Sequence, residues 1–198
     1  MKKLFLVLWA ILSLCIFSCT SKAASNDEFA EQHKENKTLV AYFSATGNTK
    51  KVAETIAEIT GGTLFEIEPA QPYTDEDLDG WNESARGTRE SKDRSTRPEV
   101  KNKVQDMAQY DTIYLGFPIW WYTCPTIVNT FLEQYDLTGK TIIPFATSGG
   151  SNFGNTEKDL KISAPDAIFK PGKVLFKTEG ALNDVDRNTV EQWLKSIN

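Results

Sequence analysis

Short apolar runs alternate with amphipathic segments along residues 37–198, and this alternation limits the fold more than any other feature of the chain. Runs typical of buried strands cover residues 38–43, 63–67, 111–117, 141–146 and 173–176. Apolar residues recur at helical spacing after Asn48, after Pro125, over residues 154–162 and over residues 186–197. Strands that alternate with helices form parallel sheets with helices on both faces. The sequence therefore predicts an α/β fold, a three-layer α/β/α sandwich around a five-stranded parallel sheet.

The stretch between the second and third predicted strands is less regular. Residues 69–98 are strongly charged, and their only aromatic residues are Tyr73 and Trp81. A solvated surface segment is one interpretation, and a flap that brings Tyr73 or Trp81 to a ligand is the other. Residues 75–94 have a composition compatible with a polar helix. Residues 99–107 are predicted to form a helix that leads back into the sheet.

The N-terminal residues have the composition of an export signal. Two lysines precede an apolar run over residues 4–17, which is too short for a typical membrane-spanning helix. Ile-Phe-Ser-Cys at 16–19 resembles a bacterial lipobox, in which the cysteine is acylated and becomes the mature N-terminus. We expect residues 1–18 to be a lipoprotein signal peptide and Cys19 to carry lipid. The protein is then exported and held at a membrane through this lipid anchor alone. A secretory signal cut near residues 23–24 is the alternative.

Residues 19–36 are polar, charged and without apolar periodicity, which predicts a flexible tether ahead of a domain over residues 37–198. The single histidine, His33, lies in this tether, where we expect it to be solvated. Of the three cysteines, Cys15 lies in the signal peptide and Cys19 is the expected lipidation site, so the domain contains only Cys124. Without a neighbouring histidine, Cys124 is expected to pack or to cap a helix rather than to act as a nucleophile. We predict no catalytic side chain and no metal site.

The charge balance argues against nucleic acid as a partner. The chain has 22 basic and 27 acidic residues, a formal charge of −5, and removal of the two signal lysines leaves 20 against 27, or −7. Proteins that bind nucleic acid usually carry a basic patch, and the sequence contains no such cluster.

The junction between the first predicted strand and the first predicted helix has the composition of an anion site. This first loop consists of Ser44, Ala45, Thr46, Gly47, Asn48 and Thr49. The N–H groups in the first turn of a helix have no partner within the helix and carry partial positive charge. Hydroxyl groups and a glycine at such a place can surround a phosphate. Ser and Thr also cap helices that bind no ligand, which is the alternative interpretation.

The first loop lacks the residues of two common nucleotide motifs. A Walker loop needs G-x-x-x-x-G-K-[ST], and the lysine is missing. A dinucleotide fingerprint needs G-x-G-x-x-G, and only Gly47 is present. The loop therefore favours a monophosphate held mainly by neutral donors, without a metal ion or a triphosphate.

The aromatic loop, residues 116–125, follows the third predicted strand. It contains three consecutive aromatic residues after a proline and an isoleucine: Pro118, Ile119, Trp120, Trp121 and Tyr122. Three consecutive aromatic side chains cannot all point into the core, and stacking on indole or phenol rings favours a large planar ligand. A protein interface, or a loop folded onto the core, would also account for them.

The glycine loop, residues 147–154, follows the fourth predicted strand and begins with Thr147, Ser148, Gly149 and Gly150. Its three glycines allow the backbone to approach a ligand closely. All three loops follow strands predicted to be parallel, so they should meet at the carboxyl edge of the sheet, where ligands bind in open α/β folds. One loop suits a phosphate, one an aromatic plane and one a ring edge. That combination describes FMN.

These loops resemble those of the flavodoxin family. Phe-Ser-Ala-Thr-Gly-Asn-Thr at 43–49 resembles the family's phosphate loop, T/S-x-T-G-x-T. Gly-Phe-Pro-Ile-Trp-Trp at 116–121 and Thr-Ser-Gly-Gly-Ser-x-x-Gly at 147–154 resemble two loops of a flavodoxin-like branch. The resemblance implies FMN as the cofactor and the strand order 2-1-3-4-5. It implies that phosphate is bound by Ser44, Thr46, Gly47, Asn48 and Thr49. It also implies that residues 118–122 flank the isoalloxazine and that residues 147–150 contact its pyrimidine side.

Electron transfer through FMN is the leading hypothesis for function, with redox partner proteins or a small quinone-like acceptor as partners. The cofactor would perform the redox step, which agrees with a domain that has no histidine. One alternative is an FMN-dependent NAD(P)H:quinone-type oxidoreductase, which would need room above the flavin for a second ring. The other is a flavin-free surface lipoprotein that uses residues 120–122 as a protein interface.

Overall fold

The computed structural model describes residues 37–176 and 186–197. The strands are β1 Lys37–Tyr42, β2 Thr63–Glu66, β3 Tyr110–Pro118, β4 Thr141–Ser148, β5 Ile168–Phe169 and β6 Lys173–Phe176. The helices are α1 Asn48–Thr60, α2 Arg86–Lys92, α3 Thr126–Leu132, α4 Thr156–Ser163 and α5 Arg187–Ile197. The predicted signal peptide, the predicted lipidation site Cys19 and the predicted tether lie outside the described residues.

The strands form one parallel sheet in the order β2-β1-β3-β4-β5. Strand β5 pairs with the start of β4 at Thr141 and Ile142, and β6 pairs with the end of β4 from Phe145 to Ser148. The two short strands thus share the edge position that a single fifth strand was expected to fill. The predicted α/β fold and the order 2-1-3-4-5 are confirmed, with β5 as a small addition.

Alternate residues along β1 face opposite sides of the sheet, which explains why helices cover both faces. Leu39 and Ala41 belong to one buried cluster, and Val40 and Tyr42 belong to the other. The first cluster includes apolar residues of α3 and α4, namely Ile127, Val128, Phe131, Leu132 and Leu160. The second includes apolar residues of α1 and α5, namely Val52, Ala53, Ile56, Val190, Trp193 and Leu194. The result is the predicted three-layer sandwich.

The helix predicted over residues 99–107 is wrong. The start of this stretch runs antiparallel beside residues 66–70, and the N–H of Lys101 donates to the C=O of Glu68 over 2.8 Å. Backbone groups that pair with a neighbouring segment are no longer available for helical hydrogen bonds. Only Met107–Gln109 winds into a short 3-10 turn before β3.

The charged segment, residues 69–98, contains one short helix. Within the range 75–94 where a polar helix was considered, only Arg86–Lys92 is helical. The rest consists of turns and extended backbone. In the part of the chain that the structure describes, no helix has the length and apolar character needed to cross a membrane.

Candidate functional site

The first, aromatic and glycine loops meet at the carboxyl edge of the sheet. Thr49 Oγ1, in the first turn of α1, lies 2.8 Å from Thr147 Oγ1 at the end of β4. The N–H of Ile119 donates to the C=O of Thr147 over 2.9 Å, and the N–H of Phe43 donates to the C=O of Gly116 over 2.9 Å. These bonds connect the ends of β1, β3 and β4, so the three loops form one continuous surface.

The first loop turns into α1 through Gly47, the N-cap residue, whose φ of 82° is left-handed. Glycine adopts this conformation at little cost and has no side chain that could cap the helix. Ser44 Oγ accepts a hydrogen bond from the N–H of Lys50 over 3.2 Å, and Asn48 Nδ2 donates to Thr46 Oγ1 over 3.1 Å. The loop thus surrounds the start of α1 with hydroxyl and amide groups.

Charge and space at this helix start fit an anion. The first turn of α1 contains no acidic residue, and Lys50 and Lys51 stand where acidic residues would usually favour the helix dipole. A Cβ built on Gly47 would meet no heavy atom within 4 Å, so the space in front of the loop is open. Neutral donors at an open helix N-terminus are suited to a phosphate group without a metal ion.

Trp120 packs inward from the aromatic loop. Its ring lies edge-on to Phe43 and Tyr73, at centroid distances of 5.6 Å and 5.2 Å. It also covers Gly87, where an added Cβ would lie 3.5 Å from the indole. Trp120 is therefore half-buried in an aromatic cluster that joins the end of β1, the charged segment and the aromatic loop.

Trp121 and Tyr122 are exposed, with fractions of 41% and 60%, and the indole Nε1 of Trp121 donates to Thr88 Oγ1 over 3.4 Å. The N–H of Trp120 donates to the C=O of Thr123 over 2.9 Å, and the reverse bond measures 3.1 Å. These bonds close a two-residue hairpin turn in which Trp121 and Tyr122 have φ of 49° and 63°. As expected from the sequence, the three aromatic rings do not all enter the core, and two of them remain accessible to a ligand or partner.

The glycine loop is shaped by Ser148. Its Oγ accepts hydrogen bonds from the N–H groups of Gly150 and Ser151 over 3.2 Å and 2.7 Å. Thr147 and Ser148 are buried, whereas Gly149 and Gly150 are exposed. A Cβ on Gly149 would meet no heavy atom within 4 Å. The glycine backbone is therefore open to the edge of a ring.

The charged segment contributes Tyr73 to this edge. Tyr73 Oη donates to Glu90 Oε2 over 2.5 Å, and the Arg86 guanidinium lies 4.2 Å from the centre of the Tyr73 ring. Burial, together with the hydrogen bond to Glu90, raises the pKa of Tyr73. A cavity of about 300 Å³ is lined by Tyr73 and by Ser44 and Ala45 of the first loop. Of the two aromatic residues considered for a flap, Tyr73 lies beside the first loop, and Trp81 is 96% exposed.

Cys124 is fully buried behind the aromatic loop. Burial raises the pKa of its thiol to about 11, although Arg94 lies nearby, with Nη2 at 3.6 Å from Sγ. The thiol is therefore protonated at neutral pH and has no nucleophilic character there. Over residues 37–176 and 186–197, no group of three or more His, Cys, Asp and Glu residues is arranged to hold a metal ion.

The predicted cofactor contacts all lie in the three loops that meet at this edge, but several residues there were not anticipated. Phe43 belongs to the aromatic cluster although its position suggested only a core strand. Arg94 and Asp159 form an ion pair behind the aromatic loop, with Nε 3.4 Å from Oδ2. Neither residue stands in a motif or a periodic pattern, so the sequence contained no signal for this pair.

Comparison with known proteins places the chain among flavodoxins. The family model described as flavodoxin matches residues 37–197. The chain is 47% identical to a presumed flavoprotein of solved structure from Bacteroides uniformis ATCC 8492, covering 81% of this chain and 98% of that one with a TM-score of 0.74. For a presumed flavoprotein from Bacteroides eggerthii DSM 20697, the identity is 45%, the coverages are 81% and 97%, and the TM-score is 0.73.

A more distant structure is that of a flavoprotein in complex with FMN from Lactobacillus acidophilus NCFM. It is 26% identical to the chain, the alignment covers 80% of this chain and 99% of that one, and the TM-score is 0.61. No curated protein matches the chain.

Proposed function

The chain belongs to the flavodoxin family, and on that premise we propose that it binds FMN at the edge formed by the three loops and passes electrons through the bound flavin. The observation that carries this proposal is the open, glycine-started N-terminus of α1, joined to the aromatic and glycine loops through Thr49 and Thr147. A phosphate site beside accessible aromatic rings suits a phosphorylated planar cofactor. The relative from Lactobacillus acidophilus was solved in complex with FMN, which supports the same cofactor here.

The first loop would hold the phosphate monoester. Ser44 and Thr46 supply hydroxyl groups, and the backbone from Gly47 onward supplies N–H groups at the positive end of α1. Lys50 and Lys51 lie in the same turn, and the Lys50 ammonium pairs with Glu66, with Nζ 3.6 Å from Oε2. This donor set fits a dianionic phosphate and would give FMN an advantage over riboflavin, which lacks that group.

The other two loops would hold the ring. Exposed Trp121 and Tyr122 offer aromatic surfaces, and Gly149 and Gly150 offer backbone that a ring edge can approach. When bound, FMN supplies the redox chemistry, and the protein supplies binding, orientation and electrostatics. No nucleophile or acid–base pair is required, which agrees with the burial of Cys124.

An absorption spectrum and two titrations test FMN binding. We expect the purified protein to be yellow, or to become so with added FMN, and to bind FMN at least about tenfold more tightly than riboflavin, since a charge-assisted hydrogen bond contributes about 1.5–3 kcal/mol. Thr46→Val should reduce that advantage. Thr63→Val, at the exposed start of β2 and thus at the opposite edge of the sheet, should leave it unchanged.

A protein that takes up no FMN at high concentration would rule out the proposal. The flavin-free alternative would then gain support if Trp120→Ala abolished binding to a partner protein.

A reductase is the second candidate for the same site. The exposure of Trp121 and Tyr122 favours it, because a second ring could contact these side chains beside the flavin. In that case a quinone-like acceptor would react directly, whereas a carrier would exchange electrons with redox partner proteins. Oxidation of NAD(P)H by a quinone with ping-pong kinetics would identify a reductase, and its absence from an FMN-loaded protein would identify a carrier.

A further inference from the structure

The turn that presents Trp121 and Tyr122 is strained. We call residues 120–123 the aromatic turn. Both of its central residues have left-handed φ, 49° and 63°, a conformation that hairpin turns of this kind usually reserve for Asn and Gly. For bulky side chains this conformation is unfavourable and persists only when the surroundings hold it in place. The residues that hold the backbone of the turn therefore help to place both rings, and the Trp121 indole has further contacts of its own, with Thr88 Oγ1 at 3.4 Å from Nε1 and Lys92 Nζ at 5.0 Å from the ring centre.

Two contacts fix the turn to α4 and to the residue before it. The C=O of Tyr122 accepts a hydrogen bond from the N–H of Asn155 over 2.9 Å. Thr123 Oγ1 donates a short hydrogen bond to Asp159 Oδ2. Gly154 allows the Tyr122 carbonyl to come this close to the start of α4, because a Cβ at residue 154 would lie only 2.1 Å from that carbonyl oxygen.

Arg94, from the charged segment, contacts residues on the buried side of the aromatic turn. Its Nη1 donates to the C=O of Cys124 over 2.8 Å, and its Nη2 donates to Asn129 Oδ1 over 3.0 Å. Its Nε lies 3.4 Å from Asp159 Oδ2, which makes an ion pair but no hydrogen bond, and Nε is buried. The guanidinium thus contacts both the carboxylate that binds Thr123 and the carbonyl of the residue after Thr123.

We propose that Arg94 and Asp159 are positioning residues, which fix Thr123 and thereby hold the aromatic turn in its left-handed conformation for contact with the flavin ring. This inference rests on the proposed FMN site and gives the charged segment a role there. Neither residue touches the ring itself. They would act on the flavin through the backbone of Trp121 and Tyr122.

The same region contains matched residues that do not reach the aromatic turn. Arg97 forms a two-bond ion pair with Glu133, with distances of 2.8 Å and 2.9 Å. Thr126 is buried like Thr123, and its hydroxyl accepts from Thr96 over 3.0 Å. Arg97→Gln, which also removes the 2.9 Å hydrogen bond from Arg97 Nη1 to the C=O of Arg94, and Thr126→Val, which removes a hydroxyl pair, serve as controls for the loss of a nearby polar contact.

The first test uses the flavin-free purified protein. Thr123→Val removes the hydrogen bond to Asp159 with little change in side-chain size. We expect the N–H groups of Trp120 and Thr123 to exchange with solvent at least about tenfold faster, because a hydrogen bond to a charged group is lost. Thr126→Val should change these rates by less than about twofold. Equal rates in the two variants would overturn the proposal.

The second test measures the FMN dissociation constant in a double-mutant cycle. Thr123→Val should raise this constant about tenfold in the natural background. In a Tyr122→Gly background, Thr123→Val should raise the FMN dissociation constant by about twofold or less, since glycine adopts the left-handed conformation without strain. An undiminished effect in that background would contradict the role of the turn.

Arg94→Gln should raise the exchange rates of Trp120 and Thr123 and the FMN dissociation constant, as Thr123→Val does. Arg97→Gln should change these quantities less. If Arg94→Gln does not fold, Arg94→Lys takes its place, because lysine keeps the positive charge but not the planar fork that reaches both the Cys124 carbonyl and Asn129. A natural protein that binds no FMN would refute the proposed function, whereas the exchange rates would still show whether Asp159 and Arg94 hold the turn.

Discussion

Gly47 is the residue whose backbone conformation most directly shapes the first loop. Its φ of 82° is left-handed, and a Cβ there would point into the open space in front of the loop. We expect Gly47→Ala to lower the free energy of unfolding by about 1–2 kcal/mol through backbone strain. We also expect it to weaken FMN binding at least about tenfold, because the helix start can no longer keep its geometry. Urea unfolding and an FMN titration measure the two effects.

Gly139 provides the matched control for Gly47. It has φ of 71° in an exposed turn before β4, and a Cβ there would also meet no heavy atom within 4 Å. Gly139→Ala should therefore destabilise the protein by a similar amount without changing FMN affinity. Equal losses of FMN affinity in the two variants would show that Gly47 has no special role at the site.

The burial of Cys124 should make the stability of the protein depend on pH. Burial raises the pKa of its thiol from 9.0 to about 11, so the folded state favours the protonated form. Its contribution to stability is fully present below pH 9 and is lost as the pH rises toward 11. We expect the free energy of unfolding to fall over this range and native Cys124 to resist thiol reagents at pH 7–8.

Cys124→Ser isolates this contribution, because the serine hydroxyl does not titrate in this range. Its unfolding free energy should change less between pH 9 and pH 10 than that of the natural protein. Burial also raises the pKa values of four tyrosines from 10.0, and these contribute losses at higher pH: Tyr42, Tyr73, Tyr114 and Tyr135. An unchanged pH profile in Cys124→Ser would refute the assignment.

At the scale of elements, the hydroxyl groups of Thr49 and Thr147, 2.8 Å apart, form a buried polar contact between α1 and β4. In the flavin-free protein, Thr49→Val should lower the free energy of unfolding by about 1–3 kcal/mol, since it leaves the Thr147 hydroxyl buried without this partner. Thr49→Ser keeps the hydroxyl group and should lower the free energy of unfolding by less than Thr49→Val does. Thr55→Val, on the same helix but at a more exposed position, should cost less than about 0.5 kcal/mol. Similar losses for Thr49→Val and Thr55→Val would mean that the hydroxyl pair does not couple the two elements.

The strands and long helices were predictable because burial imposes a pattern on their residues. In α1 and α5, the helical spacing of Val52 and Ile56, and of Val190 and Leu194, matches the faces that the sheet buries. The prediction of a helix over residues 99–107 was wrong because the backbone at the start of this stretch pairs with residues 66–70, which are far away in sequence. Local patterns do not reveal such long-range pairing.

The three loops of the site were predictable because each follows a parallel strand, and parallel strands end at the same edge. The polar contacts that hold these loops in place were not predictable. Arg94 contacts the aromatic loop and α3 through bonds to Cys124 and Asn129, and only the folded chain brings these residues together. A polar side chain in a charged segment gives no indication of where it will be buried.

At the scale of the whole molecule, the three ends of β1, β3 and β4 act as one surface because their hydrogen bonds run across the sheet. A ligand that contacts all three loops should therefore stabilise the domain as a unit. The free energy of unfolding should rise with FMN concentration as expected for a ligand that binds only the folded state, by about 2.7 kcal/mol at one hundred times the dissociation constant. Riboflavin at the same concentration should give a smaller rise, and equal rises would indicate that the phosphate is not bound.

The domain sits on a chain whose N-terminal sequence we propose to be a lipoprotein signal, with Cys19 as the acylated residue. The acyl chains on Cys19 would supply the attachment to the membrane, so loss of this cysteine should release the protein. We expect Cys19→Ala to abolish incorporation of labelled fatty acid and to move the protein out of the membrane fraction, with unchanged FMN affinity. Cys15→Ala, inside the apolar run, is the control and should leave both labelling and fractionation unchanged. The mass of the mature protein decides between the two signals, because a secretory signal cut near residues 23–24 would leave an unmodified N-terminus and no lipid.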